Sequence, residues 1–268
     1  MSEIKNIISE WQGIMIDRDG WNALYLENHD QSRSVSRWGS DLPQFRVACA
    51  KMFATFMALQ SGTVFIYQGQ ELGMINLSRE RDIGEYRDLE TLDRWKEVTE
   101  RYPRDKRYHE ITLEEFQKKS RDHARTPMQW DTTSHAGSST AEPWQRVNST
   151  YRTCNAAAQV GVSDSVFEFW ASILKLRKSH KDVFVYGDFE LVDAANEHVF
   201  AYIRTSEARE VVLVASNFRT HEAELCLPES WKLRKDGLLI SNFGDLIVRS
   251  GGVVTLRPFE EFACLVEK

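Results

Sequence analysis

The run Trp21-Asn22-Ala23-Leu24-Tyr25-Leu26-Glu27-Asn28-His29-Asp30-Gln31 decides how this chain is read. It is aromatic and apolar as far as Leu26, then turns abruptly polar. Glu27, Asn28, His29 and Asp30 offer a possible base, a hydrogen-bonding amide, an imidazole and a carboxylate. An apolar run that ends this way is the pattern of a buried strand reaching the surface. In α/β barrels the C-terminal strand ends carry the chemistry. Successive side chains of a regular strand point to opposite faces. His29 and Asp30 therefore share a site only if the strand has finished and the backbone turns there. The position of the run is unusual: the residues ahead of it are too few for the rest of such a barrel.

Working outward, residues 2–18 predict a helix, with Ile4, Ile7, Ile8, Trp11 and Met15 at helical spacing and Asp19-Gly20 as the break. After Gln31 comes a polar loop carrying Arg33, Arg37 and Trp38. Pro43 then takes a favoured first helical position. From Pro43 to Gln60 the sequence is apolar on most sides, which predicts a well-buried helix closed by Gly62. Thr63-Val64-Phe65-Ile66-Tyr67 reads as a short buried strand. Strand, helix, strand implies a parallel pair with a right-handed crossover. The second strand also ends in polar residues, Gln68-Gly69-Gln70-Glu71, at the same edge as the first.

Residues 77–121 are dense in charge and read as solvated inserted helices, with Thr112-x-x-Glu115 in the form of a capping box. Next comes Arg121-Asp122-His123-Ala124-Arg125-Thr126-Pro127-Met128-Gln129-Trp130-Asp131. Taken alone, Arg125 is a surface arginine packing on Trp130 or pairing with Asp122. A helix from Ser165 to Lys178 should bury Val166, Phe169, Trp170, Ile173 and Leu174. From about residue 182 the pattern changes to short alternating runs: Val183–Val192, His198–Arg204, Val211–Asn217, Ala223–Leu227, Leu238–Phe243 and Val253–Val266. These predict a small antiparallel β domain. The division expected is 1–181 and 182–268. Cys226 and Cys264 fall inside such runs and read as core packing.

With 268 residues, 42% hydrophobic and 28% charged, the composition is that of an ordinary globular protein. A net charge of −6 argues against nucleic acid or an anionic membrane as partner. No apolar run approaches the roughly 20 residues of a membrane span. Four scattered cysteines without a CxxC pair, and an N-terminus lacking a secretory apolar stretch, fit reduced thiols in the cytoplasm. The sequons at Asn76 and Asn148 read as chance.

The run Trp21 to Gln31 resembles the seventh-strand motif of the α-amylase family, glycoside hydrolase family 13. Tyr67-Gln68-Gly69-Gln70-Glu71-Leu72-Gly73-Met74 is similar to the end of that family's eighth strand. The block Arg121–Asp131 resembles one found in its α-glucosidase branch, the maltases and oligo-1,6-glucosidases, and the trailing β domain is similar to the family's C-terminal domain. The resemblance implies an α/β plus all-β fold: the last two strands and helices of a (β/α)8 TIM barrel, then a β-sandwich. It implies a retaining α-glucosidase that releases glucose from the non-reducing end of α-1,4- or α-1,6-linked oligosaccharides. No cofactor is expected, and no metal, because the carboxylates lack a compact calcium-loop spacing. Such enzymes pair a carboxylate nucleophile with a carboxylic acid about 5–5.5 Å away. A further carboxylate stabilises the developing positive charge. By the resemblance Asp30 is that carboxylate, His29 donates to a sugar hydroxyl, and Arg125 helps hold the terminal glucose. Gln68 and Glu71 are weaker candidates for the mouth of the site.

The family nucleophile lies in a Gly-Phe-Arg-x-Asp strand and its acid is a Glu ending the next strand; neither pattern occurs in this sequence. The expectation is a C-terminal portion, inactive alone, whose oligosaccharide substrate requires the strands that would lie upstream of Met1. A non-catalytic sugar-binding or regulatory module and a vestigial gene fragment are the alternatives. Hydrolysis and isomerisation stay equally open, as does the preference for α-1,4 or α-1,6 linkages.

Overall fold

The computed structural model describes residues 1–17, 20–249 and 251–268. Asp19 of the expected helix break lies outside the described residues, as does the side chain of Met15. In chain order the elements are α1 (Ser2–Asp17), β1 (Ala23–Leu24), α2 (Ser34–Trp38), α3 (Pro43–Ala58), β2 (Thr63–Val64), α4 (Leu89–Arg101) and α5 (Lys106–Lys119). They continue with α6 (Ala156–Gln159), α7 (Val166–Ser179), α8 (Lys181–Phe184), β3 (Asp188–Val192), β4 (Val199–Thr205), β5 (Val211–Asn217) and β6 (Ala223–Cys226). The last are β7 (Lys232–Ser241), β8 (Ile247–Val248), β9 (Val253–Leu256) and β10 (Glu261–Glu267). Two compact units result: residues 1–25, 42–65 and 168–268, and residues 26–41 and 66–167.

In the first unit β1 and β2 pair in parallel, Ala23 opposite Thr63 and Leu24 opposite Val64, with α3 as the crossover. Pro43 opens α3, and every residue from Cys49 to Ala58 is buried, as its all-round apolarity requires. Gly62 has φ +135°, and a Cβ there would lie 2.6 Å from the Asn22 carbonyl oxygen, so only glycine allows this approach. The strands are shorter than the sequence predicts, and the expected burial of the second fails: Phe65 is 54% exposed. A parallel strand is buried on both sides only within a wider, covered sheet, and β1–β2 is a two-stranded one. The apolar stripe of α1 departs from expectation in the same way. Trp11 and Ile7 are exposed, whereas Lys5 and Gln12 are buried. Lys5 donates to the carbonyls of Asp193 at 3.0 Å and Asn196 at 2.7 Å, and burial pulls its ammonium below the usual lysine range. Leu174 of α7 is also exposed, although Val166, Phe169, Trp170 and Ile173 are buried.

The β elements form a five-stranded sheet in the order β3-β4-β5-β10-β7 and a three-stranded sheet β6-β9-β8, all pairs antiparallel. Val199, Ala201, Leu213, Leu225, Val254 and Phe262 meet in the core they share. The expected single run Val253–Val266 divides, because Phe259 takes φ 53° in a turn that sends β9 and β10 to different sheets. Val183 and Phe184 belong to α8 and not to a strand. Cys264 is buried but Cys226 is exposed, since alternation along β6 turns it outward. Arg204 of β4 is wholly buried and donates to Gln12 Oε1 at 3.1 Å, the Gly187 carbonyl at 2.6 Å and Ser61 Oγ; burial brings its guanidinium down to about 10.

In the second unit, α4 and α5 are the charged helices expected between residues 77 and 121. Each is capped by an aspartate: Asp88 accepts from the Thr91 N–H at 3.1 Å and Asp105 from the Tyr108 N–H at 2.9 Å. The capping box expected at Thr112 does not form there. Thr112 sits inside α5 and its hydroxyl donates to the Tyr108 carbonyl at 2.8 Å. The long non-helical stretch after α5 is tied down by side chains bonded to backbone. Asn148 donates to the Ile75 and Asn76 carbonyls at 2.8 and 3.0 Å, and Asn76 to the Gln117 and Lys118 carbonyls at 3.2 and 3.0 Å. Both sequon asparagines are thus buried structural groups. No described helix is long and apolar enough to cross a membrane.

Candidate active site

The opening run reaches its site through Asn28. Its Oδ1 accepts the Asp30 N–H at 2.8 Å, and its carbonyl accepts the Gln31 N–H at 3.2 Å. An Asn side chain bonded two residues ahead is an Asx-turn. It ends the strand alternation, so His29 and Asp30 meet on one side, with Nε2 3.3 Å from Oδ2. The His29 side chain is 73% exposed and that of Asp30 41%.

Arg125 lies 95 residues from Asp30 in sequence; it closes on this turn twice and on Asp88 once. Its Nε donates to the His29 carbonyl at 3.0 Å, its Nη2 to Asp30 Oδ1 at 2.9 Å and its Nη1 to Asp88 Oδ1 at 3.1 Å. The planar guanidinium therefore spans two carboxylates and a carbonyl in one fixed orientation. Arg121 Nε stands 3.6 Å from the same Asp30 oxygen, and its Nη2 pairs with Glu90. All three predicted site residues, His29, Asp30 and Arg125, are brought together. A depression of about 310 Å³ opens beside Asp30, lined by Gln31, Arg37, Glu90 and Arg121.

Several readings of the local sequence are corrected. Glu27 is no base: it is 2% exposed, and its carboxylate accepts from Arg33 Nη1 at 3.0 Å, the Ser34 N–H at 2.8 Å and Ser34 Oγ at 2.6 Å. It anchors the turn from beneath. Arg33, equally buried, also donates to the Gln68 carbonyl at 2.7 Å and lies over the Tyr67 ring at 5.4 Å. Arg125 does not pair with Asp122. That carboxylate is fully buried and accepts the Arg87 N–H at 2.7 Å, with Arg81 Nη2 at 3.4 Å. Glu71 is half-buried, and burial raises its carboxyl above the usual range, Arg33 opposing and Glu27 adding to the effect.

Sequence reasoning missed Asp88 and Arg121 as partners of this cluster. Asp88 does two jobs, one oxygen capping α4 and the other holding Arg125. Its only sequence signal is an Asp placed three residues before Thr91, which marks a cap and nothing more. Among the described residues no cluster of three His, Cys, Asp or Glu side chains is arranged to hold a metal.

A half-exposed carboxylate locked between guanidiniums, with an imidazole beside it, can accept sugar hydroxyls and face a developing positive charge without rearranging. Residues 1–187 match the α-amylase catalytic-domain model, and residues 189–260 match the C-terminal domain of maltogenic amylase. The chain belongs to the α-amylase family. It is 37% identical over 262 residues to an α-glucosidase of Schizosaccharomyces pombe, covering 97% of this chain and 44% of that protein. It is 42% identical over 268 residues to an oligo-1,6-glucosidase of Heyndrickxia coagulans, covering 99% of this chain and 45% of that one. Among solved structures, an isomaltulose synthase variant from Erwinia rhapontici NX5 in complex with D-glucose superposes with a TM-score of 0.89 at 32% identity, over 100% of this chain and 46% of the other. This α-amylase family chain thus spans a little under half the length of the curated relatives it matches, and its fold is that of the family.

Proposed function

We propose that the chain is the C-terminal portion of a retaining α-glucosidase that releases glucose from the non-reducing end of α-1,4- or α-1,6-linked oligosaccharides of the maltose, isomaltose or sucrose type. In this reading residues 1–181 supply the last two strands and helices of a (β/α)8 barrel, and 182–268 the C-terminal β domain. Asp30 stabilises the positive charge that develops on the sugar. His29 donates to a hydroxyl of the terminal glucose, and Arg125 orients Asp30 and closes the pocket round the chain end. The observation that carries the reading is Arg125 bridging Asp30 and Asp88, at 2.9 and 3.1 Å. The names of the relatives support the substrate class. Exposure of Ile7, Trp11, Trp21 and Phe65 supports a portion whose apolar face is meant to be covered. Four scattered cysteines without a CxxC pair fit a cytoplasmic setting.

The chain holds neither the Gly-Phe-Arg-x-Asp nucleophile strand nor its acid partner. Alone it therefore binds at most and does not turn over. The purified chain is assayed with p-nitrophenyl α-glucoside beside a full-length oligo-1,6-glucosidase. Release at the background rate is expected, and release near the full-length rate would overturn the reading.

A further inference from the structure

Away from the Asp30 turn, the second unit carries a groove of about 510 Å³ with Trp144 and Tyr151 on its walls. Its volume is within the range of small-molecule sites. Trp144 is 67% exposed, which forgoes the burial that usually places an indole in a core. Two of the polar groups round it, Glu85 and Arg146, are paired. Glu85 accepts from Arg146 Nη1 at 2.8 Å on one oxygen and from the Asp82 N–H at 3.2 Å on the other. Hydrogen bonding from Arg146 also holds the Glu85 carboxyl below its usual range. On another side, His135 Nδ1 stands 3.8 Å from Glu142. His135 and Ala136 are both left-handed, φ 54° and 59°, a conformation that non-glycine residues avoid. Burial of Ala136, whose carbonyl accepts the Trp130 N–H at 2.9 Å, maintains it.

We propose that this groove is a second carbohydrate-binding site, separate from the Asp30 cluster, in which a hexose ring stacks on Trp144. The electron-rich indole face attracts the weakly positive C–H face of a sugar ring, while the carboxylates, guanidiniums and imidazole suit hydroxyls that both donate and accept. The charges point to a neutral ligand, because Glu85 and Glu142 balance Arg87 and Arg146 among the lining residues. The groove also adjoins the first site along the chain. Arg87 lines it, and the next residue, Asp88, holds Arg125. One oligosaccharide class can thus be presented to both. The choice of carbohydrate rests on the function proposed above; the groove itself does not.

The test is equilibrium titration of the whole chain with maltotriose, followed by calorimetry, so that no turnover is needed. Weak binding is expected. Trp144→Ala should weaken it about tenfold, a loss of one ring-stacking contact, and Trp144→Phe should restore part of it. Circular dichroism verifies that both variants keep the fold. Trp11→Ala, at an exposed tryptophan outside the groove, should leave this binding within about twofold. Absence of binding in the parent chain, binding unaffected by Trp144→Ala, or binding weakened as much by Trp11→Ala would each overturn the proposal. Failure of the chain to complete an active glycosidase, with Trp144-dependent maltotriose binding retained, would leave it standing, so the two readings fail separately.

Discussion

Glu27→Gln tests the foundation of the site. The Glu27–Arg33 pair is 3.0 Å apart, with side chains 1% and 0% exposed. The substitution keeps the volume and leaves an acceptor for the Ser34 N–H. It removes the charge, however, and can turn an NH2 group toward the Arg33 guanidinium. Arg33 then remains buried with the Gln68 carbonyl, at 2.7 Å, as its main acceptor. Breaking a buried ion pair from one side costs about 3–5 kcal/mol, because the surviving charge is desolvated and uncompensated. In urea, with a slope of about 2–3 kcal/mol per molar, the unfolding midpoint should fall by about 1 M or more. The double variant Glu27→Gln/Arg33→Met should recover much of that loss, since no lone charge is left inside. Circular dichroism at 222 nm reads both. A shift below about 0.2 M for Glu27→Gln, worth under 1 kcal/mol, would show that the pair does not anchor the turn and would refute the argument.

Burial raises the Glu261 carboxyl to about 8, with Glu260 adding to the shift and Thr55 and Lys51 opposing it. Between pH 4.5 and 8 the unfolded chain ionises this group and the folded one does not, so stability falls as pH rises through that window. Glu261→Gln should therefore stabilise at pH 8 by about 3–5 kcal/mol and change little at pH 4.5, read from urea midpoints. His123 runs the other way. Burial lowers it to about 4, so stability present above pH 6.5 is lost as pH falls toward 4, by about 3 kcal/mol, and His123→Gln should flatten that slope. Ellman's reagent should find one fast thiol, Cys226, because Cys49, Cys154 and Cys264 are buried and burial raises the Cys264 thiol to about 11. Fast labelling of a second cysteine in the native chain would contradict the packing.

What could be read in advance was local. The apolar run from Cys49 to Ala58 announced a buried α3, and alternation announced the β strands between residues 188 and 267. That the backbone must turn at His29 and Asp30 followed from the demand that they share a face, but the Asx-turn at Asn28 that does it did not. What escaped was set by distance along the chain. Nothing near Asp88 reveals that Arg125 will meet it 37 residues on, so a charged stretch read as solvent-facing helix hid part of the cluster. Glu27 looked catalytic because it is polar at a strand end. Only the fold, by bringing Arg33 and Ser34 over it, made it an internal anchor. In α1 the periodicity of Ile7 and Trp11 was legible, but which neighbour the stripe would face was not. Lys5 and Gln12 took the inside through hydrogen bonds that no hydropathy pattern encodes.

The most direct test replaces the matching C-terminal portion of the Heyndrickxia coagulans oligo-1,6-glucosidase with residues 1–268 of this chain. The host then supplies the nucleophile and the acid. Its glucose release from isomaltose is measured with Asp30 intact and as Asp30→Asn. The account predicts an active chimera whose kcat falls at least about 10²–10³-fold on losing the Asp30 charge, the scale for removing one electrostatic group from a transition state. A folded, active chimera that keeps its kcat within about tenfold as Asp30→Asn, a difference of 1.4 kcal/mol, would contradict it.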